Sequence, residues 1–294
     1  MQVSARTKRP AAARRITDSQ RRKFGEQGYL MVPGALRPGL LERLQAATDR
    51  VYAEEALADR LRPDHSLHLL GFVTRDGAFC ELLDLETTFP LVWGLLGWNI
   101  HCYHSHLDVN PPVVDPGPPF WGWHQDGGRQ NLETETDPRP LLSVKVAYVL
   151  SDLSLPGRGN TRIIPGSQRR NSLPRPARPE LGFEEPKGAT EVLANAGDAF
   201  VFDRRLWHSR SVNTSEITRK MLFVAYTYRW IRARDDLRIK PDSPWWRSLS
   251  PVRRQLLGEG SDAMSYWGLG RDSWPLREQL HAQKLLDPEV PPQR

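Results

Sequence analysis

Residues 120–131 read Phe-Trp-Gly-Trp-His-Gln-Asp-Gly-Gly-Arg-Gln-Asn and place an imidazole, His124, two residues before a carboxylate, Asp126. In an extended chain, side chains two positions apart point to the same side, so both groups can reach one metal ion. Two histidines and one carboxylate on one face of an octahedron, with the remaining positions open, are typical of non-haem Fe(II) oxygenases. The stretch therefore predicts two of three metal ligands, and the third has to come from elsewhere in the chain.

A second His-x-Asp pair, His106 and Asp108, differs from the first in its context. It lies within a strand-like run and is flanked by apolar residues, which predicts a place in the wall of a pocket. His124 and Asp126, in contrast, precede two glycines, whose backbone can bend around an ion. The context favours His124 and Asp126 as the metal-binding pair.

His208 is the candidate third ligand because it follows a strand-like run and a Gly-Asp turn. Arg219 comes eleven residues later, at the start of a long apolar run. Arginine is suited to bidentate binding of a carboxylate, which an oxygenase that uses 2-oxoglutarate requires. If each residue is considered alone, the favoured interpretation of His208 is a core histidine and that of Arg219 is a surface charge. The ordered combination with His124 and Asp126 favours a metal and co-substrate site.

The composition indicates a globular protein of a reducing compartment. The chain has 294 residues with 10 Trp, 7 Tyr and 9 Phe, enough for a sizeable core. It has no run of about 18 apolar residues, so no membrane span is expected. Its two cysteines, Cys80 and Cys102, cannot build a multi-bridge scaffold. We therefore expect a cytoplasmic protein. The 34 arginines against 7 lysines indicate a GC-rich, bacterial genome.

The positive charge is concentrated at the N-terminus. Residues 1–23 carry eight basic side chains and one acid, a charge of +7, so the total of +6 leaves −1 for the rest of the chain. The composition of residues 1–15 predicts a disordered basic tail. Electrostatic contact with nucleic acid is the alternative, but no aromatic residues for base stacking are interleaved with the charges, so no specific nucleic-acid binding is expected. An organelle transit peptide stays open as a further interpretation.

The remaining chain, 16–294, is predicted to form one domain in three parts. Residues 16–98 are expected to be helical, with helices from Thr17 or Asp18 to Gln27, from Pro38 to Asp59 and from Phe89 to Leu96. Residues 99–230 show short strands between Gly/Pro turns, which predicts a mainly β core, a sandwich or barrel, with helices packed outside. Residues 231–294 are expected to be a partly helical extension, and 171–188 a surface loop or lid.

The first long strand of this core, Ile100–Val109, carries an unusual number of histidines. Strict alternation would put four residues on one side of the strand: Cys102, His104, His106 and Asp108. A polar face on a strand is either solvent-exposed or part of a wet, functional interior. The alternation leaves these two interpretations open.

Four blocks of the sequence resemble the phytanoyl-CoA dioxygenase family of Fe(II)/2-oxoglutarate oxygenases. Residues 24–34 look like the family's F-x-x-x-G-Y-x-x-x-P-G segment, and residues 123–126 like its W-H-x-D metal motif. Residues 157–167 are similar to its N-G-x-x-x-x-P-G-S-H region, and residues 197–219 to its last block. The resemblance covers residues 16–232, and it is specific because the blocks occur together and in order.

The resemblance implies a double-stranded β-helix, a jelly-roll or cupin-like barrel with the N-terminal helices outside. It implies an iron site made of three residues: His124, Asp126 and His208. Arg219 would hold the C5 carboxylate of 2-oxoglutarate, His104 would be a polar co-substrate contact, and Trp121 would line the co-substrate pocket. The implied cofactors are Fe(II), 2-oxoglutarate and O2, with ascorbate as the reductant in vitro.

Two positions depart from the family pattern. Gln168 stands where many members have His, and Arg210 stands where some have a Ser that contacts 2-oxoglutarate. These departures affect the co-substrate contacts and leave the metal ligands intact. Because Asp126 is present, a halogenase, which lacks this carboxylate so that chloride can bind, is not expected.

The predicted function is therefore Fe(II)- and 2-oxoglutarate-dependent hydroxylation of a C–H bond in a small molecule, with release of succinate and CO2. A tailoring step in the biosynthesis of a secondary metabolite fits this chemistry. The alternative is a non-oxygenase metal-binding, cupin-like protein or a hydrolase on the same fold. The expected partner is the small-molecule substrate. The sequence leaves its identity and the oligomeric state open.

Overall fold

The fold begins with a helix whose two ends are set by local signals. In the computed structural model, which describes residues 15–118, 120–237, 239–240, 242–259 and 274–286, α1 spans Asp18–Gln27. Thr17 and Gln20 cap it reciprocally: the Gln20 amide donates to Thr17 Oγ1 and the Thr17 amide to Gln20 Oε1. Gly28 ends α1 at a φ of 80°, and a Cβ there would lie 2.6 Å from Gln168 Oε1. The position therefore requires glycine for both its backbone angle and this close approach.

In the described parts of the chain, seven further α-helices and nine strands follow. The helices are α2 (Pro38–Leu57), α3 (Gly77–Cys80), α4 (Phe89–Leu96), α5 (Arg129–Glu133), α6 (Pro244–Ser248), α7 (Pro251–Leu256) and α8 (Pro275–Ala282). The strands are β1 (Tyr29–Val32), β2 (Leu67–Leu70), β3 (Ile100–Asn110), β4 (Ser143–Val149), β5 (Thr161–Ile163), β6 (Thr190–Glu191), β7 (Ala199–Asp203), β8 (His208–Arg210) and β9 (Arg219–Tyr228). The three predicted helices and the predicted strand Ile100–Val109 are confirmed to within a few residues. The predicted tail lies almost entirely outside the described residues.

The strands form two antiparallel sheets. The large sheet has the order β1-β7-β4-β9-β3-β2 and the small one the order β6-β5-β8. Two of the strands in the large sheet, β1 and β2, come from the part of the chain that was predicted to be mainly helical. β2 was not expected from the sequence, and it extends the sheet by pairing with β3. Among the described residues, no helix is long and apolar enough to cross a membrane.

Alternation along the central strands separates an outer core from an inner one. On β4 and β9, Val146 and Val224 pack with the helices in the larger apolar cluster. Ala147 and Phe223 belong to a second cluster on the opposite face of the sheet, which also contains Ile163 of the small sheet. Both faces of the large sheet are therefore buried, and the inner one, between the sheets, is where polar side chains enter the barrel.

The alternation predicted for β3 is wrong at one point. The register between β3 and β9 shifts between Cys102 and His104, a β-bulge at Tyr103. Cys102 consequently packs in the outer core, whereas His104, His106 and Asp108 line the interior cavity. The bulge turns Tyr103 towards β4, where its hydroxyl lies 3.2 Å from Ser143 Oγ.

Candidate active site

Two of the three predicted metal ligands are joined through the backbone. His124 and His208 form an isolated antiparallel bridge, in which each amide donates to the other's carbonyl at 3.0 Å. Their ring centroids are 4.3 Å apart. Asp126 completes the group, and one ligand atom from each residue lies within 4.8 Å of the others. The structure therefore brings the predicted triad together between the two sheets.

Hydrogen bonds fix the tautomer of both histidines. His124 Nδ1 lies 2.8 Å from Gly122 O, and His208 Nδ1 lies 2.8 Å from Leu206 O. Because a carbonyl oxygen can only accept, each Nδ1 carries the proton and each Nε2 keeps its lone pair. A backbone carbonyl that accepts from the second ring nitrogen is a usual partner of metal-ligating histidines. Burial, and then the neighbouring His124, lowers the pKa of His208 to about 3, which keeps this imidazole unprotonated.

Asp126 is held ionised by a buried lysine. Lys145 on β4 is 5% exposed, and its Nζ lies 2.6 Å from Asp126 Oδ2. Burial raises the pKa of Asp126, but the Lys145 ammonium and the two histidines outweigh burial, so the pKa lies well below its usual range. The donor set of two imidazole nitrogens and one carboxylate fits a divalent metal such as Fe(II).

Arg219 lies at the far end of the cavity with spare donors. Its side chain is almost completely buried, and Nη1 donates to Asn110 Oδ1 at 2.8 Å. Nη1 is also 3.5 Å from Asp108 Oδ2, whereas the buried Nε has no partner among the described residues. Burial lowers the pKa of Arg219 to about 10, but the guanidinium stays charged near neutral pH. A carboxylate ligand would supply the acceptor that this buried, charged donor lacks.

His104 belongs to a buried chain of hydrogen bonds. Its Nδ1 donates to Asp235 Oδ1 at 2.8 Å, because a carboxylate can only accept. Its Nε2 therefore accepts from His106 Nδ1 at 3.1 Å, which leaves the Nε2 lone pair of His106 available in the cavity wall. Burial lowers the pKa of both imidazoles. The chain presents an uncharged acceptor next to the metal site.

The second His-x-Asp pair forms another close group of donor atoms, His68, His106 and Asp108. Asp108 already accepts from His68 Nδ1 at 2.7 Å and faces the Arg219 guanidinium. Burial raises the pKa of Asp108, but the hydrogen bond from His68 and the nearby His106 and Arg219 outweigh burial, so the pKa lies well below its usual range. A metal ion there would face a fixed positive charge. We therefore interpret this group as cavity wall, which matches the expectation from the sequence.

Trp121 is placed differently from the other predicted residues. It is not among the residues that line the cavity; its ring contacts Phe183 of the 171–188 loop, with centroids 5.1 Å apart. The same loop is tied to the metal motif, since Trp123 Nε1 donates to Glu185 Oε2 at 2.9 Å. The proposed role of Trp121 in the co-substrate pocket stays a prediction. Of the two departures, Gln168 binds Gly25 O outside the site, whereas Arg210 lines the cavity.

The cavity between the sheets has a volume of about 320 Å³ and contains both the triad and Arg219. This is at the small end of the range for ligand pockets. Sequence reasoning did not identify Lys145, Asn110 or Asp235 as parts of the site. Lys145 gave a signal that could have been used, because it is the one charged residue at an inward-facing position of the otherwise apolar strand β4.

Comparisons with known proteins agree with this geometry. The chain is 22% identical to the ectoine dioxygenase of Nocardia farcinica over 245 residues, which cover 72% of this chain and 78% of that protein. It is 25% identical to an L-proline trans-4-hydroxylase of Streptomyces griseoviridis over 232 residues, 69% of this chain and 84% of that protein.

Crystal structures of EctD from S. alaskensis, one with bound Fe and one with 2-oxoglutarate and 5-hydroxyectoine, match at a TM-score of 0.57 and 20% identity. Each match covers 79% of this chain and 83% of the other. These likenesses confirm the fold expected from the resemblance, the double-stranded β-helix. Residues 24–221, two thirds of the sequence, match the family described as Phytanoyl-CoA dioxygenase (PhyH). The chain is a member of the phytanoyl-CoA dioxygenase family.

Proposed function

We propose that the protein is an Fe(II)- and 2-oxoglutarate-dependent oxygenase that hydroxylates a small molecule. The observation that carries the proposal is the pairing of a metal-ready triad with a buried arginine that has an unsatisfied donor, in one cavity. The similar proteins named above, an ectoine dioxygenase and a proline hydroxylase, support a small-molecule substrate. A tailoring step in biosynthesis is consistent with both.

The residues would divide the work as follows. His124 and His208 would present Nε2, and Asp126 one carboxylate oxygen, to Fe(II), while Lys145 holds the other oxygen of Asp126. Arg219 would bind the C5 carboxylate of 2-oxoglutarate. The bound iron supplies oxidative decarboxylation of 2-oxoglutarate, with O2 as oxidant, and insertion of oxygen into a substrate C–H bond.

An apolar wall shields one side of the reacting centre from bulk water, while His124 is exposed on another side. Phe202 and Phe223 line the cavity between the polar groups, and His106 stacks on Phe223 with a centroid separation of 4.3 Å. Exclusion of water strengthens the electrostatic contacts inside the site and limits side reactions. The protein therefore contributes binding, orientation and shielding to the reaction.

The test is release of succinate from 2-oxoglutarate by the purified protein supplied with Fe(II), ascorbate and O2, together with metal analysis. His124→Ala should abolish both bound metal and succinate release, whereas His281→Ala, on an exposed face of α8, should retain them. Full metal content in His124→Ala would contradict the triad.

The alternative, a metal protein without oxygenase chemistry, gives Arg219 no carboxylate to bind. Addition of 2-oxoglutarate to the anaerobic Fe(II) protein distinguishes the two functions. A visible charge-transfer band supports the oxygenase, and binding of iron without any such band supports the alternative.

A further inference from the structure

The cavity has two ends, which the strand register defines. Lys145 and His104 are both cross-strand partners of Ala225, so they lie in one row at the level where Lys145 meets Asp126. Arg219 is six residues from Ala225 along β9, so its backbone lies towards the opposite end of that strand. We call the end at Lys145 and His104 the metal end and the end at Arg219 the co-substrate end. A molecule bound by Arg219 and the metal occupies the space between them, so the substrate has to approach from the metal end.

The cavity carries an excess of positive charge. Two carboxylates line it, Asp108 and Asp126. Five cationic side chains line it: Arg62, Lys145, Arg210, Arg219 and Arg234. This inference rests on the proposed function, in which Fe(II) adds two positive charges to the cavity and 2-oxoglutarate adds two negative ones. An excess of three positive charges therefore stays in a partly enclosed space, which favours entry of an anion.

Two of these arginines belong to the co-substrate end. Arg210 is close enough to Arg219 to act on it electrostatically. The Arg62 amide donates to Ser66 O at 2.9 Å, and the next residue, Leu67, pairs with Val109 near the end of β3. The backbones of both arginines therefore lie at the co-substrate end of the cavity.

Arg234 belongs to the metal end. Its amide donates to the carbonyl of Tyr103, in the β-bulge, at 2.8 Å. Its guanidinium acts electrostatically on Tyr103 and His104. The side chain is exposed, and it has no carboxylate within ion-pair distance in the parts of the chain that the structure describes. The adjacent carboxylate, Asp235, is already engaged by His104 and Ser105.

We propose that Arg234 binds an oxyanion group of the substrate, a carboxylate or a phosphate, and that the substrate is therefore a small organic acid. The guanidinium is a charged donor at the metal end of the cavity, and no carboxylate of the described residues lies within ion-pair distance of it to compete with the ligand. The cavity of about 320 Å³ must also hold 2-oxoglutarate. The part of the substrate that enters the cavity is therefore small.

The test uses the full chain loaded with Ni(II), which does not turn over, and 2-oxoglutarate. Butyrate, butyramide and propyl phosphate are titrated, and dissociation constants are measured by calorimetry. Wild-type protein should bind butyrate, propyl phosphate or both. The anion with the lower Kd shows whether Arg234 prefers a carboxylate or a phosphate. Butyramide should bind at least about 10-fold more weakly, as expected for loss of a charge-assisted hydrogen bond.

The variant Arg234→Gln should weaken binding of the anion at least about 10-fold and leave the affinity for 2-oxoglutarate unchanged. Arg232→Gln is the matched control, because Arg232 is an exposed arginine two residues away that does not line this cavity. It should bind the anion like the wild type. Equal binding of butyrate and butyramide, or an unchanged anion affinity in Arg234→Gln, would overturn the proposal.

The two proposals fail in different ways. If the wild type does not bind 2-oxoglutarate, the proposed function is wrong. The comparison of Arg234→Gln with Arg232→Gln in the Ni(II)-loaded protein still decides whether Arg234 binds the anion.

Discussion

The pair of Lys145 and Asp126 should make the protein's stability depend on metal in an unusual way. Replacing Lys145 by Met removes the ammonium 2.6 Å from Asp126 Oδ2 and keeps most of the side-chain volume. The two side chains are only 6% and 15% exposed. Loss of one partner leaves a buried charge uncompensated, which costs about 3–5 kcal/mol. This is a large fraction of the ~5–15 kcal/mol by which a folded protein is typically stable.

A bound divalent cation replaces the missing positive charge on Asp126. We therefore expect Lys145→Met to lose about 3–5 kcal/mol of unfolding free energy without metal and clearly less with saturating Ni(II). If 3 kcal/mol is recovered on binding, linkage requires the variant to bind Ni(II) about 100-fold more tightly than the wild type. In the wild type, Lys145 therefore lowers the affinity for metal while it holds the carboxylate in place.

Urea unfolding with EDTA and with Ni(II), together with a Ni(II) titration, measures these quantities. Lys220→Met is the matched control, because Lys220 pairs with Asp49 at 2.5 Å but the two side chains are 24% and 55% exposed. It should lose less than ~1 kcal/mol under both conditions. The reasoning is wrong if Lys145→Met unfolds like the wild type without metal, or if its loss is the same with and without Ni(II).

Three further changes test other parts of the site. Arg219→Gln should raise the Kd for 2-oxoglutarate at least about 30-fold, ~2 kcal/mol, because a desolvated charged pair is lost; calorimetry that shows an unchanged Kd would contradict this. Burial lowers the pKa of His101 to about 4, below the ~6.5 that it has in the unfolded chain. Between these two pH values the unfolded state therefore binds more protons than the folded state. As the pH drops from about 6.5 to 4, His101 should lower the free energy of unfolding by about 1.4 kcal/mol per pH unit. His101→Gln should reduce that slope in urea unfolding, and an identical slope would refute the assignment. Asp235→Asn should cost about 1–3 kcal/mol, because its new NH2 group faces a donor, either His104 Nδ1–H or the Ser105 amide; a urea midpoint unchanged from the wild type would show that these bonds contribute nothing.

Local signals in the sequence predicted the parts of the fold that depend on local contacts. The capping box at Thr17 and the glycine at Gly28 define α1 without reference to the rest of the chain. The metal motif was predictable for the same reason, because His124 and Asp126 are neighbours on an extended segment. His208 and Arg219 required the order of blocks along the chain, since no local rule connects them to residue 124.

Features that depend on long-range register were not predictable. The bulge at Tyr103 reverses the side of the sheet on which Cys102 packs, and it is visible only in the pairing of β3 with β9. Lys145 meets Asp126 because β4 pairs with β7, and the carbonyl of Arg204, directly after β7, accepts from the Asp126 amide. Asp235 reaches His104 from a segment after the last strand of the barrel. Each contact joins residues distant in sequence, and periodicity within one strand carries no information about its neighbour.

The reciprocal backbone bridge between His124 and His208 has an evolutionary consequence. Each imidazole is positioned by the main chain of the other ligand, and the motif around His124 is further held by the bond of Trp123 to Glu185. Insertions or deletions in the 171–188 loop that keep the bond between Glu185 and Trp123 can therefore change the surface beside the metal motif without displacing the ligands. The catalytic chemistry and the choice of substrate can diverge independently on this scaffold.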